Sequence, residues 1–233
     1  RYGSPEKEED MKKVFLASVL AMFAFCAQAQ EDFTAGVEVG LNICKPSRAK
    51  TADNVEATYN RQGFAVGVFG EYNFLEGLMV RLGVKLESRP YRANRLYMPK
   101  EAMGIRLFVE DKTTPYYLSV PLQLGYRFRL SDDVALSIAA GPSVSFGLFG
   151  KTNLSYEAVD EGVGISEKYN CFGGEWGMKR FDWGITGRLA VEFMEHFFVA
   201  GNYYRSFKNV EYKNIESWHM KYNVFNVSLG YIF

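Results

Sequence analysis

The sequence predicts an all-β protein, an eight-stranded antiparallel up-and-down transmembrane β-barrel, on three observations. From Phe33 onward, apolar and polar residues alternate with a period of two. The connections between the alternating runs are long, short, long, short, long, short and long in turn. The last run, Tyr222 to Phe233, sets Phe225, Val227, Leu229, Tyr231 and Phe233 on one face. Asn226, Ser228 and Gly230 take the other, and the run ends on Tyr-x-Phe.

Composition agrees with many strands and wet–apolar boundaries: 15 Tyr, 19 Phe and 22 Gly in 233 residues. Charge is balanced at 27 basic and 27 acidic residues, so no basic excess points to nucleic acid. Near the start, Met11-Lys12-Lys13, the apolar run Val14 to Phe25 and Ala27-x-Ala29 read as a secretory signal peptide over 11–29, cleaved after Ala29. That run is too short for a membrane-spanning helix, which needs about 20 residues. Residues 1–10 do not suit an export signal and read as a non-native or mis-annotated leader. Residues 30–233 then form one barrel domain. Export leaves Cys44 and Cys171 in an oxidising compartment, where a disulfide is allowed. Both fall on the long-loop side, so a Cys44–Cys171 bridge is expected. Neither cysteine belongs to a metal-ligand spacing.

The first strand sets Val37, Val39, Leu41 and Ile43 against Glu38, Gly40 and Asn42. A loop from Cys44 to Gln62 follows. The second strand sets Phe64, Val66, Val68 and Tyr72 against Ala65, Gly67 and Glu71, and Phe74 to Gly77 is a tight turn. The third is the cleanest: Leu78, Val80, Leu82, Val84 and Leu86 against Met79, Arg81, Gly83, Lys85 and Glu87. A loop from Ser88 to Thr114 interleaves Arg89, Arg92, Arg95, Lys100, Arg106 and Lys112 with Tyr91, Tyr97 and Phe108. Such a surface suits anionic lipopolysaccharide or a partner protein.

The fourth strand sets Tyr116, Leu118, Val120, Leu122, Leu124, Tyr126 and Phe128 against Ser119, Pro121, Gln123, Gly125 and Arg127, with a bulge expected at Pro121. The fifth sets Val134, Leu136, Ile138, Ala140, Val144, Phe146 and Leu148 against Ser137, Gly141, Ser143 and Ser145. A loop from Phe149 to Arg180 comes next. The sixth sets Phe181, Trp183, Ile185, Leu189, Val191 and Phe193 against Asp182, Gly184, Thr186, Arg188 and Glu192. The seventh, Phe197 to Phe207, alternates too weakly to assign its faces.

In lipid every backbone polar group must pair internally, so strands cross only as a closed barrel with apolar residues outward. Sorted that way, Glu38, Glu71, Arg81, Lys85, Glu87, Arg127, Asp182, Arg188 and Glu192 point into the lumen. Eight strands leave room only for side chains, so these charges should plug it. A soluble lipocalin-like carrier would reverse the polarity. An outer-membrane lipid hydrolase would use Ser217 and His219, but neighbours on one loop rarely meet a triad's geometry. The preferred reading is therefore not an enzyme and needs no cofactor.

Tyr117-Leu118-Ser119-Val120-Pro121-Leu122-Gln123-Leu124-Gly125-Tyr126-Arg127-Phe128 resembles the signature strand of the PorT-like outer-membrane β-barrel family. Ala140-Gly141-Pro142, Phe181-Asp182-Trp183-Gly184 and the ending Val227 to Phe233 also resemble it. The resemblance covers nearly all the mature chain except the first strand and the long loops. It implies an eight-stranded barrel in a Gram-negative outer membrane, in a family whose members mostly lack an assigned activity. The reading preferred from the residues is a monomer whose outer loops bind a partner or surface molecule, or which supports envelope assembly and secretion. Its neighbours would be outer-membrane lipid and lipopolysaccharide. Tyr231 and Phe233 resemble the signal by which barrel-assembly machinery receives its clients.

Overall fold

A computed structural model describes residues 32–48, 55–97, 107–158, 164–173, 177–210 and 220–233. The expected signal peptide and leader, and the Ser217–His219 pair, lie outside the described residues.

All described regular structure is antiparallel β. The strands are β1 (Phe33–Arg48), β2 (Val55–Leu75), β3 (Leu78–Ser88), β4 (Tyr91–Tyr97), β5 (Leu107–Arg129), β6 (Val134–Ala158), β7 (Gly164–Asn170), β8 (Phe181–Phe193), β9 (Phe197–Ser206) and β10 (Met220–Ile232). Pairing runs β1–β2–β3–β5–β6–β8–β9–β10 and returns from β10 to β1, so the sheet closes. Closure removes the exposed edges that an open sheet would present to lipid.

Ten strands occupy eight positions in the wall. β4 prolongs β3: both pair with β5 in one unbroken register, Ser88 opposite Tyr116 and Tyr91 opposite Thr113. The break between them is Pro90, which has no N–H for the ladder. β7 and β8 likewise share one flank of β6, and the loop residues described between them are 171–173 and 177–180. Cys171, Phe172 and Met178 of that loop are buried. Gly147 admits it: a Cβ there would lie 2.4 Å from the Phe172 ring.

The three short turns, at 75–78, 130–133 and 194–196, lie on one rim. The described ends of the chain lie there too: Asn73 N–H donates to Asp32 O, and Phe233 N–H to Ala35 O. At the opposite rim the structure corrects the expected loops. β1 and β2 carry the strand through most of 44–62, and β4 and β5 through most of 88–114. β6 and β7 do the same within 149–180. A tilted strand crosses the hydrocarbon in about 9–11 residues, whereas β2, β5 and β6 have 21, 23 and 25. They continue beyond the bilayer as paired arms.

The bulge expected at Pro121 is also corrected. Pro121 keeps its register with Ser143, and the shift lies between Tyr116 and Tyr117, where β6 spends Leu148 as an extra residue. Around Pro121 and Pro142 bridges are simply missing from otherwise regular ladders. A lost donor costs a ladder hydrogen bond without forcing an insertion.

Candidate functional site

Polarity is inside and apolarity outside. Val39, Leu41, Leu124, Leu189 and Leu229 are exposed on the outer face, and Phe225, Val227 and Phe233 with them. This arrangement is the reverse of a lipocalin's and removes the soluble-carrier reading. The aromatics Tyr126 and Phe128, and Phe197, Tyr231 and Phe233, pack against one another at the short-turn rim. Such a girdle suits the membrane–water boundary.

The nine charges assigned to the lumen from sequence face it in the structure, in two clusters. Towards the short-turn rim, Glu38 receives Arg81 at 3.1 Å, Lys85 at 2.5 Å and Arg188 at 3.3 Å. Glu71 pairs with Arg81 and with Arg127 at 2.5 Å, and Arg127 reaches Glu192 at 2.9 Å. Phe69 lies under the Arg81 guanidinium at 3.4 Å and Phe198 under that of Arg188 at 4.6 Å. Gly230 makes room for Phe198, since a Cβ there would lie 2.1 Å from the ring.

The second cluster is built around Arg89, which the sequence placed on a solvated loop. It is 1% exposed. Its guanidinium donates to Glu87 at 2.7 Å, Asp182 at 2.9 Å, Ser145 at 2.8 Å and Ser119 at 3.2 Å. Tyr204, Tyr117 and Tyr222 surround it at 4.4, 4.7 and 5.6 Å. Tyr204 and Ser206 hydroxyls donate to Asp182 at 2.9 and 2.5 Å. Together the clusters set Arg81, Lys85, Arg89, Arg127 and Arg188 against Glu38, Glu71, Glu87, Asp182 and Glu192, five charges of each sign.

An amide chain joins β1, β10 and β9. Asn226 donates to Asn42 at 2.8 Å and Asn202 to Asn226 at 2.9 Å, while Asn42 donates to Glu87 at 3.2 Å. Near this chain a cavity of about 40 Å³, bordered by Lys85, Glu87, Ser119, Asn202 and Tyr204, separates the two clusters. That is room for one or two waters.

Above Arg89 an apolar cluster shares the lumen with the buried Asp111, Thr113 and Thr152. Cys44, Tyr91, Cys171, Phe172, Met178 and Met220 pack as part of one buried cluster. The expected disulfide is absent: Cys44 and Cys171 are free thiols. Cys44 Sγ lies 3.9 Å from Ser88 O, and Cys171 fits over Gly150. Cys44 lies in β1 and Cys171 just after β7, and both belong to that cluster without being bonded.

The basic residues of the outer side divide. Arg89 faces in, whereas Arg92 and Lys112 flank Glu110 on the outer face, Lys112 at 2.5 Å. Partial burial pushes the Glu110 carboxyl up, but the hydrogen bond from Lys112 and the charges of Arg92 and Lys112 outweigh it. Its pKa falls below the usual carboxylate value. The Arg95 side chain, Lys100 and Arg106 lie outside the described residues. His196 sits in its turn, with Nδ1 3.2 Å from Ile232 O. No group of three metal-ligating side chains converges among the described residues.

A model for the outer membrane protein beta-barrel domain matches residues 27–212. Among solved structures, the outer membrane protein OprG from Pseudomonas aeruginosa aligns with TM-score 0.45 and 15% identity, covering 88% of this chain and 98% of that one. The attachment invasion locus protein Ail of Yersinia pestis, in complex with the heparin analogue sucrose octasulfate, gives TM-score 0.39 and 14% identity over 87% and 99%. Neisserial surface protein A gives 0.37 and 10% over 84% and 96%. No curated protein sequence matches the chain.

Proposed function

The chain belongs to the outer membrane protein β-barrel domain family, and from that premise we propose that it is a non-enzymatic barrel that works through its outer surface. The surface would bind a surface molecule or an envelope partner. The bacterial outer membrane is its location. The observation that carries the reading is the filled lumen: charges paired across the wall below, aromatic and thiol side chains closing it above. Such an interior is a core rather than a conduit. It gives the outer arms of β2, β4, β5, β6 and β7 a rigid base. Purified barrel in planar bilayers should give little or no conductance. Stable nanosiemens-scale channels would overturn the reading.

Within the family, the Tyr117–Phe128 strand and the Ala140-Gly141-Pro142 run support a PorT-like relationship. Delivery would use the signal peptide over 11–29, and assembly would use Tyr231 and Phe233 as the recognition end for barrel-assembly machinery. Fractionation with heat-modifiable gel mobility tests delivery and folding together.

A further inference from the structure

We propose that a groove on the outer face of β5, β6 and β7 binds the phosphate of a phosphorylated, acylated lipid of the outer leaflet. The inference rests on the outer-surface reading above and names its ligand class. The groove measures about 760 Å³ and is lined by Thr114, Tyr116, Phe149, Lys151, Lys168 and Asn170.

The β6 bulge creates it. Below Leu148 the outward residues of β6 have even numbers, such as Val144 and Phe146. The extra residue reverses the parity, so Phe149 and Lys151 face outward and Gly150 and Thr152 inward. Phe149 is 51% exposed and stacks on Tyr116 at 4.7 Å, with Phe64 5.9 Å beyond. This aromatic row caps the apolar band formed by Leu118, Val144 and Phe146. Immediately above it, Lys151 sits opposite Thr114 on one side and Asn170 on the other. Lys168 is two residues from Asn170, which makes it a diagonal neighbour of Lys151, about 7–8 Å away at the backbone.

Both lysines are exposed, and among the described residues neither has an ion pair. The outward carboxylates nearby are either occupied, as Glu110 is by Arg92 and Lys112, or distant, as Glu157 is at the far end of the β6 arm. Arg61 adds a third cation at the edge, donating to Thr114 Oγ1 at 3.3 Å. Two adjacent like charges without an acid destabilise a sheet. A phosphate would relieve that repulsion by accepting from both ammonium groups. The aromatic row and the apolar band below continue into the membrane, so the same ligand would lay its acyl chains along Phe149 and Phe146. Charge and apolar surface in that order, at that height, fit a lipid and not a free anion.

Full-length barrel in detergent should be titrated with a diphosphorylated acylated glucosamine lipid, its dephosphorylated form and inorganic phosphate, and read by native mass spectrometry. The phosphorylated lipid should bind the unaltered protein at least about tenfold more tightly than the dephosphorylated one, and Lys151→Gln/Lys168→Gln should abolish that preference. Lys208→Gln, whose ammonium lies over Phe181 at 4.6 Å, should leave it intact. Equal binding of the two lipids, retained preference in the double variant, or equal competition by inorganic phosphate would overturn the proposal. Both lysines are exposed, so heat-modifiable mobility of the double variant should not change. Conductance would overturn the outer-surface reading independently of these binding results.

Discussion

Arg89 gathers two carboxylates, two serine hydroxyls and three tyrosine rings around one guanidinium. Losing one member of such a buried group strands the rest. Arg89→Met should lower stability by about 3–5 kcal/mol, because Glu87 and Asp182 lose the buried cation that they share. Adding Glu87→Gln and Asp182→Asn should recover most of it, as read from urea unfolding in liposomes. At the opposite rim Met194 and Glu195 both have positive φ, 52° and 63°. The turn they form, closed by His196 N–H to Phe193 O at 3.2 Å, favours glycine or asparagine. Glu195→Gly should raise the unfolding free energy by about 1 kcal/mol in the same assay. Lumen charges on clean strands were legible because each stands between apolar neighbours. Arg89 was not, since Pro90 beside it is a loop signal in sequence and a mere ladder gap in the barrel.

At the scale of the element, alternation reveals a face only when the two faces differ in polarity. β3 and β10 satisfy that condition. β9 does not: its inward residues include Phe198 and Tyr204 and its outward ones Phe197, Val199 and Tyr203. Aromatics on both sides erase the contrast, yet Phe198 is inside because Arg188 and Arg81 need a ring to lie against. Strand ends were equally illegible. Once above the lipid, the arms of β2, β5 and β6 have no apolar face to maintain, so their composition reads as loop. Phe172 against Gly147 is one of the contacts that hold the described residues between β7 and β8 to the wall, beside backbone hydrogen bonds joining Arg180 to Gly147 and Cys171 to Gly150. Gly147→Ala should cost about 1–3 kcal/mol through overpacking. The cost should shrink in a Phe172→Ala background, a coupling that a double-mutant cycle will measure.

For the whole molecule, the count of eight wall positions came from the rhythm of long and short connections, and it survives division of two positions into collinear pairs. Eight positions set the width, and the width dictates a lumen filled by side chains. The outer surface was the least legible level. Its groove needs a one-residue bulge at Leu148 that no composition announces, and its lysines come from two different strands, β6 and β7. Assembly also belongs to this scale. Deleting Phe233 should reduce the heat-modifiable fraction recovered in outer membranes, while barrel refolded from urea into detergent keeps its unfolding midpoint within about 1 kcal/mol, as an exposed terminal residue requires.

The β1–β10 seam holds thirteen facing residues, from Gly36 opposite Ile232 to Arg48 opposite Met220. It is as regular as any internal hairpin of the wall. The finished ring therefore has no physical first strand: the order of the chain records how the wall is made, not how it stands. Asp32 and Phe233 meet the same rim, so a short linker could join them and new ends could be opened at another short turn. Such a circular permutant would keep every ladder while moving the Tyr-x-Phe ending into the interior of the chain. The fold and the proposed assembly signal would then be carried by separate parts of the sequence.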